Sequence, residues 1–131
     1  MNVPRDLRYT TTHEWVRYAE GLLIVGITDF AQEQLSDLTY VELPNVDDKV
    51  VAEDEVAVVE SVKAASDVFA PVDGTIVAVN ESVVKNPDVI NTDPYGAGWL
   101  FKMKPDHPDD IDLLMDADQY AELIPESPEF L

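Results

Sequence analysis

Cysteine is absent from the 131 residues of this chain. Its absence excludes a structural disulfide, a thiolate nucleophile and a cysteine-ligated zinc or iron–sulfur site. Histidine, the usual general base of nucleophilic hydrolysis, occurs only as His13 and His107, with no Gly-x-Ser-x-Gly elbow and no phosphate-binding glycine loop. No calcium-binding loop spacing is present either. We therefore expect neither catalytic residues nor a metal site, and an enzyme is the least supported class.

Basic residues are scarce, because 8 Lys and Arg stand against 27 Asp and Glu and give a formal charge of −19. Nucleic acid and anionic membrane surfaces would be repelled by this charge, so we expect neither as a partner. The acidity has two interpretations of equal weight. It can steer the protein toward basic patches on partner proteins, or it can serve solubility and adaptation to a salty cytoplasm.

Long hydrophobic runs are also missing, since stretches such as 22–27 have the length of a strand and not of a membrane helix. The first residues lack the basic-then-apolar layout of a secretory signal and the Arg- and Ser-rich composition of a transit peptide. A cytoplasmic protein of bacterial type, or an already processed organellar one, is expected. We also expect it to act as a monomer.

Alternating apolar residues and frequent turn signals are typical of a mainly β fold. The whole chain, 1–131, is predicted to form one domain, with a β core at about 9–104 and a C-terminal helical extension at about 107–124. The tail from 125 to 131 is expected to fray. The predicted strands cover residues 15–18, 22–28, 40–43, 56–62, 68–71, 75–79 and 99–103.

Helices are predicted at two places. Thr28 or Asp29 can cap a short helix whose apolar face includes Phe30, Ala31, Leu35 and Leu38. Near the C-terminus, Pro108 can open a helix, and Asp116 with Gln119 has the spacing of a capping box. Loops are predicted at 86–87 and 91–98. Five large aromatic residues are expected in the core or in the wall of a groove: Trp15, Phe30, Tyr40, Phe69 and Trp99.

Lys63 lies between two predicted strands, at the tip of a hairpin. A lysine on a fixed and exposed turn can be acylated by an enzyme that recognises the turn, which converts the side chain into a long neutral arm. Position alone favours the simpler interpretation, that Lys63 is an ordinary solvated lysine.

The residues around this lysine resemble the lipoylation segment of the glycine cleavage system H protein family. The similarity begins with Glu60-Ser61-Val62-Lys63-Ala64-Ala65-Ser66-Asp67 and extends, in family order, over most of the chain. The other matching segments are 12–16, 26–32 with 40–44, and 91–100. The resemblance implies a barrel-sandwich hybrid of the lipoyl and biotinyl type, with a short internal helix and C-terminal helices.

The resemblance further implies a carrier without catalytic activity of its own. Lipoate is joined by an amide to Lys63, and Glu60, Ser61, Val62, Ala64 and Asp67 form the segment that lipoate-attaching enzymes recognise. The arm receives an aminomethyl group from glycine decarboxylase (P protein) and delivers it to aminomethyltransferase (T protein). Dihydrolipoyl dehydrogenase (L protein) then reoxidises the dithiol.

The loaded arm of this family folds back against the protein, where a groove would protect the labile aminomethyl group from water. Thr12, Glu14, Ile27 and the segment 64–67 are candidates for that groove. Glu14 or Asp67 could hold the protonated amine of the carried group. The alternative is that both are exposed acids at strand ends.

Other functions stay open at this point. A biotin carrier also uses a hairpin lysine, but its family pattern places methionine on both sides, whereas Lys63 is flanked by Val62 and Ala64. A structural or interaction role, or an H-like carrier that serves lipoate relay or another lipoate-dependent pathway, is a further alternative. One departure from the family is Ser36, where the family usually has glycine after the helix.

Overall fold

The computed structural model describes residues 1–125 and the backbone of 129–130. Its two main sheets contain six and three strands. The six-stranded sheet has the order β2 (Arg8–Tyr9), β3 (Glu14–Ala19), β4 (Leu22–Ile27), β10 (Phe101–Pro105), β9 (Gly74–Val79) and β6 (Lys49–Val50). The three-stranded sheet has the order β5 (Leu38–Glu42), β7 (Glu55–Ser61) and β8 (Ala65–Phe69). All pairings within these two sheets are antiparallel, so the mainly β prediction is confirmed.

Five helical segments accompany the strands in the described part of the chain. They are α1 (Asp29–Leu35), α2 (Glu81–Lys85), α3 (Asp88–Thr92), a 3₁₀ helix (Pro108–Leu113) and α4 (Ala117–Leu123). The predicted first helix is confirmed, with Thr28 as its N-cap accepting a hydrogen bond from the Ala31 amide. The capping box of Asp116 and Gln119 is also confirmed at the start of α4.

The core lies between the two sheets, where each strand contributes every second side chain. The larger sheet contributes Val25, Ile76 and Met103, and the smaller sheet contributes Val59 and Val68, all almost fully buried. Burial of these apolar side chains stabilises the sandwich at about 25 cal/mol per Å² of apolar surface. The strands that flank Lys63 are therefore anchored by their inward faces.

A second apolar cluster holds the C-terminal helix on the outside of the larger sheet. Tyr9 and Tyr120 stack with ring centroids 4.6 Å apart, and both are fully buried beside Trp15.

The chain end lies near the start, because β11 (Glu129–Phe130) pairs in parallel with β1 (Asn2–Val3). Fraying is therefore wrong for these two residues, and 126–128 and 131 lie outside the described part of the chain. None of the described helices is long and apolar enough to cross a membrane.

Several local predictions are wrong. The region from 81 to 92 contains α2 and α3, whereas the sequence predicts a loop from residue 91 onward. The Asn80 side chain caps α2, and Val83 and Ile90 are fully buried, so tertiary packing stabilises these short helices. The segment opened by Pro108 is a 3₁₀ helix instead of an α-helix. Tyr40 is 48% exposed and is not part of the core.

The helix α1 ends at Leu35, three residues before Leu38, the last residue of its predicted apolar face. Leu38 is buried as the first residue of β5, and the chain changes direction at Ser36. Ser36 has φ 66° and ψ −156°, a conformation that glycine adopts far more readily than serine. The sequence departure from glycine therefore falls at a position where the backbone favours glycine.

Replacing Ser36 by glycine is expected to stabilise the protein. Serine in this positive-φ conformation is strained by about 1–3 kcal/mol, and glycine relieves that strain. Glycine also has more conformational freedom in the unfolded chain, which offsets about 0.5–1 kcal/mol of the stabilisation. We expect the free energy of unfolding of Ser36→Gly to rise by about 1 kcal/mol. Urea denaturation measures this change. Ser36→Ala retains the strain, so an equal stabilisation by Ser36→Ala would contradict the explanation.

Candidate functional site

The turn around Lys63 is organised by the residue that ends β7. The Ser61 amide donates to the Ala64 carbonyl at 2.8 Å and closes the turn. The Ser61 hydroxyl oxygen accepts hydrogen bonds from the amides of Lys63 at 3.2 Å and Ala64 at 3.1 Å. A short hydroxyl side chain can satisfy turn amides in this way without extending the loop. The predicted position of Lys63 at a hairpin tip is confirmed.

The Lys63 side chain is exposed at this tip. Its Nζ donates one hydrogen bond, to the Gln34 carbonyl on α1 at 3.3 Å. The neighbouring Val62 side chain is 95% exposed. A depression of about 440 Å³ adjoins the amine and is lined by Ser36, Asp37, Thr39, Ser61, Val62 and Lys63. The amine is thus open to an enzyme and free to move, because a single surface hydrogen bond to a carbonyl is weak.

The acidic residues of the segment lie on the outward face of the smaller sheet. Glu60 pairs with Tyr40 on one side and Ala65 on the other. Asp67 lies one row away, opposite Val58. Glu60, Ser61, Val62 and Ala64 therefore adjoin the lysine, and Asp67 is more distant on the same sheet.

A cavity of about 380 Å³ lies beside the first strands of the larger sheet. Four separate parts of the chain line it: Tyr9 to Thr12 with Glu14, Glu53, Phe69 to Pro71, and Leu113 to Met115. The structure thus brings Thr12 and Glu14 together at one cavity. Ile27 pairs with Glu14 across β3 and β4, but its side chain is buried in the main core and does not line this cavity. The segment 64–67 does not line it either.

Glu14 is a buried carboxylate at the edge of this cavity, with 1% of its surface exposed. Its Oε1 accepts hydrogen bonds from the hydroxyls of Thr10 and Thr12, and its Oε2 accepts one from the Phe69 amide at 3.2 Å. Burial raises the pKa of Glu14, and these hydrogen bonds oppose the rise. The interpretation of Glu14 as an exposed acid is wrong, whereas Asp67 is exposed.

Thr10, the Phe69 amide and the wall formed by Leu113 to Met115 are parts of the site that the sequence does not predict. The run of three threonines before His13 was a usable signal, because hydroxyl groups close to an acid can satisfy it when it is buried. The contribution of the C-terminal segment had no local signal.

His13 is part of a hydrogen-bonded group that connects the turn before Glu14 to the C-terminal helix. Its Nδ1 lies 2.8 Å from the Tyr120 hydroxyl, and that hydroxyl lies 2.7 Å from the Thr28 hydroxyl. Burial lowers the pKa of His13. His13 also has φ 71°, so it forms the turn that leads into Glu14. The histidine thereby links α4 to the cavity edge. Among the described residues, no group of three or more His, Cys, Asp or Glu side chains could hold a metal ion.

Known proteins resemble this chain over nearly its whole length. Residues 7–127 match the family described as glycine cleavage H-protein. A glycine cleavage system H protein of Psychrobacter sp. (strain PRwf-1) is 58% identical over 124 residues, which cover 93% of this chain and 98% of that protein. One from Legionella pneumophila (strain Corby) is 56% identical over 121 residues, covering 92% and 97% respectively.

A solved structure is similar as well. The crystal structure of a glycine cleavage system H protein from Mycobacterium marinum superimposes with a TM-score of 0.85 at 43% identity. The match covers 92% of this chain and 97% of that chain.

The raised pKa of Glu14 predicts a pH dependence of stability. The folded protein holds this proton more tightly than the unfolded chain, so the stabilising contribution is complete below the ordinary value of 4.5 and is lost as the pH rises through the folded value. We expect the free energy of unfolding of the wild type, relative to Glu14→Gln, to fall as the pH rises from about 4 and then to level off. Urea denaturation of both proteins across this range measures the difference. A difference that does not change with pH would contradict the prediction.

Proposed function

Because the chain belongs to the glycine cleavage H-protein family and is a lipoyl carrier of the glycine cleavage system, we propose that Lys63 is its attachment residue. The protein is a carrier subunit and not a catalyst. The observation that supports Lys63 most directly is its amine, which is exposed at the tip of a stiff hairpin and makes one hydrogen bond.

The residues around Lys63 fit an amide-linked cofactor. Nζ can leave the Gln34 carbonyl without exposing a buried donor, since both groups lie at the surface. Ser61 fixes the turn, so an attaching enzyme meets the amine in a constant position. Glu60, Val62 and Ala64 present side chains beside it, and Asp67 extends the same face. We assign these residues to recognition by the attaching enzyme.

Bound lipoate supplies a disulfide that takes up an aminomethyl group and passes it on. The protein provides attachment, reach and shelter from water. We assign the partners as glycine decarboxylase, aminomethyltransferase and dihydrolipoyl dehydrogenase, with the carrier acting as a monomer in the cytoplasm. These assignments rest on membership of a multienzyme glycine cleavage system.

The cavity beside Glu14 is the proposed shelter. Strand β8 leads from the Lys63 hairpin to Phe69 at the cavity wall, and four residues of strand span about 13 Å. The lysine stem together with the lipoyl chain is suited to such a distance. Thr12 and Glu14 form the polar end of the cavity, while Phe69, Leu114 and Met115 line it with apolar surface.

Glu14 is the group proposed to hold the amine of the carried group. Its carboxylate is shielded from bulk water, so an ion pair with a protonated amine there would be stronger than one at the surface. Its existing hydrogen bonds with Thr10 and Thr12 keep it oriented before the amine arrives. Ile27 acts only indirectly in this proposal, by packing in the core behind Glu14.

The attachment residue is tested by intact mass after expression in a host that makes lipoate. The wild type is expected to gain one lipoyl group, and Lys63→Arg is expected to gain none while its thermal unfolding is unchanged. Arginine keeps the charge and the exposed stem but offers no amine for this amide. A lipoyl increment on Lys63→Arg, or a biotinyl increment on the wild type, would overturn the assignment.

The role of Glu14 is tested by the lifetime of the carried aminomethyl group in the absence of partner enzymes. Glu14→Gln is expected to release it several-fold faster than the wild type, because a charge-assisted hydrogen bond is about twice as strong as a neutral one. Glu122→Gln is the matched control, since it makes the same substitution at an exposed glutamate of α4, outside the cavity and the Lys63 hairpin. Equal lifetimes for Glu14→Gln and the wild type would remove Glu14 from the proposal.

A further inference from the structure

The outward face of the six-stranded sheet carries a concentration of basic residues. Strand register places Arg17, Ile24, Lys102 and Ala78 in one row across β3, β4, β10 and β9. A second row places Lys104, Thr75 and Lys49 side by side across β10, β9 and β6. Four of the chain's eight basic residues therefore lie on one face. We call this set, Arg17, Lys49, Lys102 and Lys104, the basic face.

Two of these cations are held in place by aromatic rings. The Arg17 guanidinium lies 5.1 Å from the ring centroid of Trp15 and donates to the Tyr95 carbonyl at 3.0 Å. The Lys102 ammonium lies 5.1 Å from the ring centroid of Trp99. Such contacts orient the charges before any partner arrives. Lys49 and Lys104 are exposed beside them.

Within the described residues, these cations make no ion pair with an acid of the protein. The salt bridge found within 4.0 Å in that part of the chain joins Arg5 to Asp118, and neither residue belongs to the basic face. Asp48 and Asp106, the acids nearest to Lys49 and Lys104 in sequence, lie just beyond the strand ends. In a protein with 27 acidic residues, four cations without a described carboxylate within 4.0 Å have charge available to another molecule.

The opposite face of the sandwich has the reverse charge. The outward rows of the smaller sheet contain Tyr40, Glu60 and Ala65, then Glu42, Val58 and Asp67. These positions include three acids and no base. The Lys63 hairpin belongs to this smaller sheet, so a molecule bound to the basic face leaves the hairpin uncovered.

We propose that the basic face is a docking surface for an acidic patch on a partner protein of the glycine-cleaving system, which anchors the carrier while the Lys63 arm reaches an active site. Val77 and Thr75 lie among the cations on the part of the sheet formed by β10, β9 and β6, and Val77 is exposed, which suits a protein surface bearing carboxylates. This docking role rests on the proposed carrier function.

The net charge of −19 argues against other occupants. Nucleic acid and anionic lipid are extended polyanions, and they would meet the repulsion of the whole molecule as well as the attraction of one face. A second copy of the chain also has a net charge of −19, so two copies repel each other at long range. A partner with a local acidic patch and moderate net charge avoids this penalty.

The experiment compares Lys104→Glu with Lys85→Glu. Both residues are exposed lysines and both changes alter the net charge equally, but Lys85 lies on α2 and outside the basic face. Dissociation constants of the lipoylated proteins are measured by calorimetry for each of the three proposed partner enzymes, at low and at physiological salt. We expect Lys104→Glu to weaken binding to at least one enzyme about five-fold at low salt, with a smaller effect as salt screens the contact. Lys85→Glu should bind as the wild type does.

Equal effects of the two variants would show a dependence on net charge alone and would overturn the docking surface, as would unchanged binding of Lys104→Glu. For the wild type and Lys104→Glu, light scattering measures self-association, and separate binding experiments use duplex DNA and anionic vesicles. Loss with Lys104→Glu of a wild-type self-association, or of binding to DNA or vesicles, would assign the face to another occupant and also overturn the proposal. The proposed function is judged separately, by lipoylation and glycine cleavage with the wild-type carrier.

Discussion

The packing of the three-stranded sheet against the larger sheet is the constraint on which the carrier site depends. Ala57 and Val59 of β7 and Val68 of β8 are buried against the larger sheet, and their inward positions fix both strands that flank Lys63. The turn itself is held by one serine hydroxyl and one backbone hydrogen bond, which are modest interactions. The rigidity of the hairpin therefore comes from apolar burial below the turn, and the amine stays mobile because its one hydrogen bond, to the Gln34 carbonyl, lies at the surface.

The cavity has a buried carboxylate, Glu14, at its edge. A buried carboxylate is costly unless it is hydrogen-bonded, and Glu14 is satisfied by two threonine hydroxyls and one backbone amide. The turn that supplies these groups is braced by His13, whose ring contacts Tyr120 of the C-terminal helix. The C-terminal segment, which is outside both main sheets, thus helps to shape the cavity and supports the acid at its edge. The contacts that stabilise the fold around Glu14 are therefore the same ones that form the proposed shelter.

Charge is divided across the sandwich, although the sequence as a whole is strongly acidic. The register of the strands sends Glu42, Glu60 and Asp67 to one outer face and Arg17, Lys102 and Lys104 to the other. A β-bulge between Leu38 and Tyr40 also allows both Leu38 and Val41 to be buried while Tyr40 remains outside, next to Glu60. Small changes in register would redistribute these charges, so the two faces depend on the bulges as well as on composition.

The sequence by itself determined the mainly β class, the first helix and its cap, the capping box of α4 and the hairpin position of Lys63. These features depend on residues within a few positions of one another, and local alternation, capping and turn signals are sufficient to specify them. Only the tertiary structure decided that Glu14 is buried, that Ile27 belongs to the core, that α2 and α3 are helical, and that four cations share a face. Each of these depends on contacts between segments far apart in the chain, such as the joining of Thr12, Phe69 and Met115 around one cavity, and packing of that kind leaves no periodic signal in any single segment.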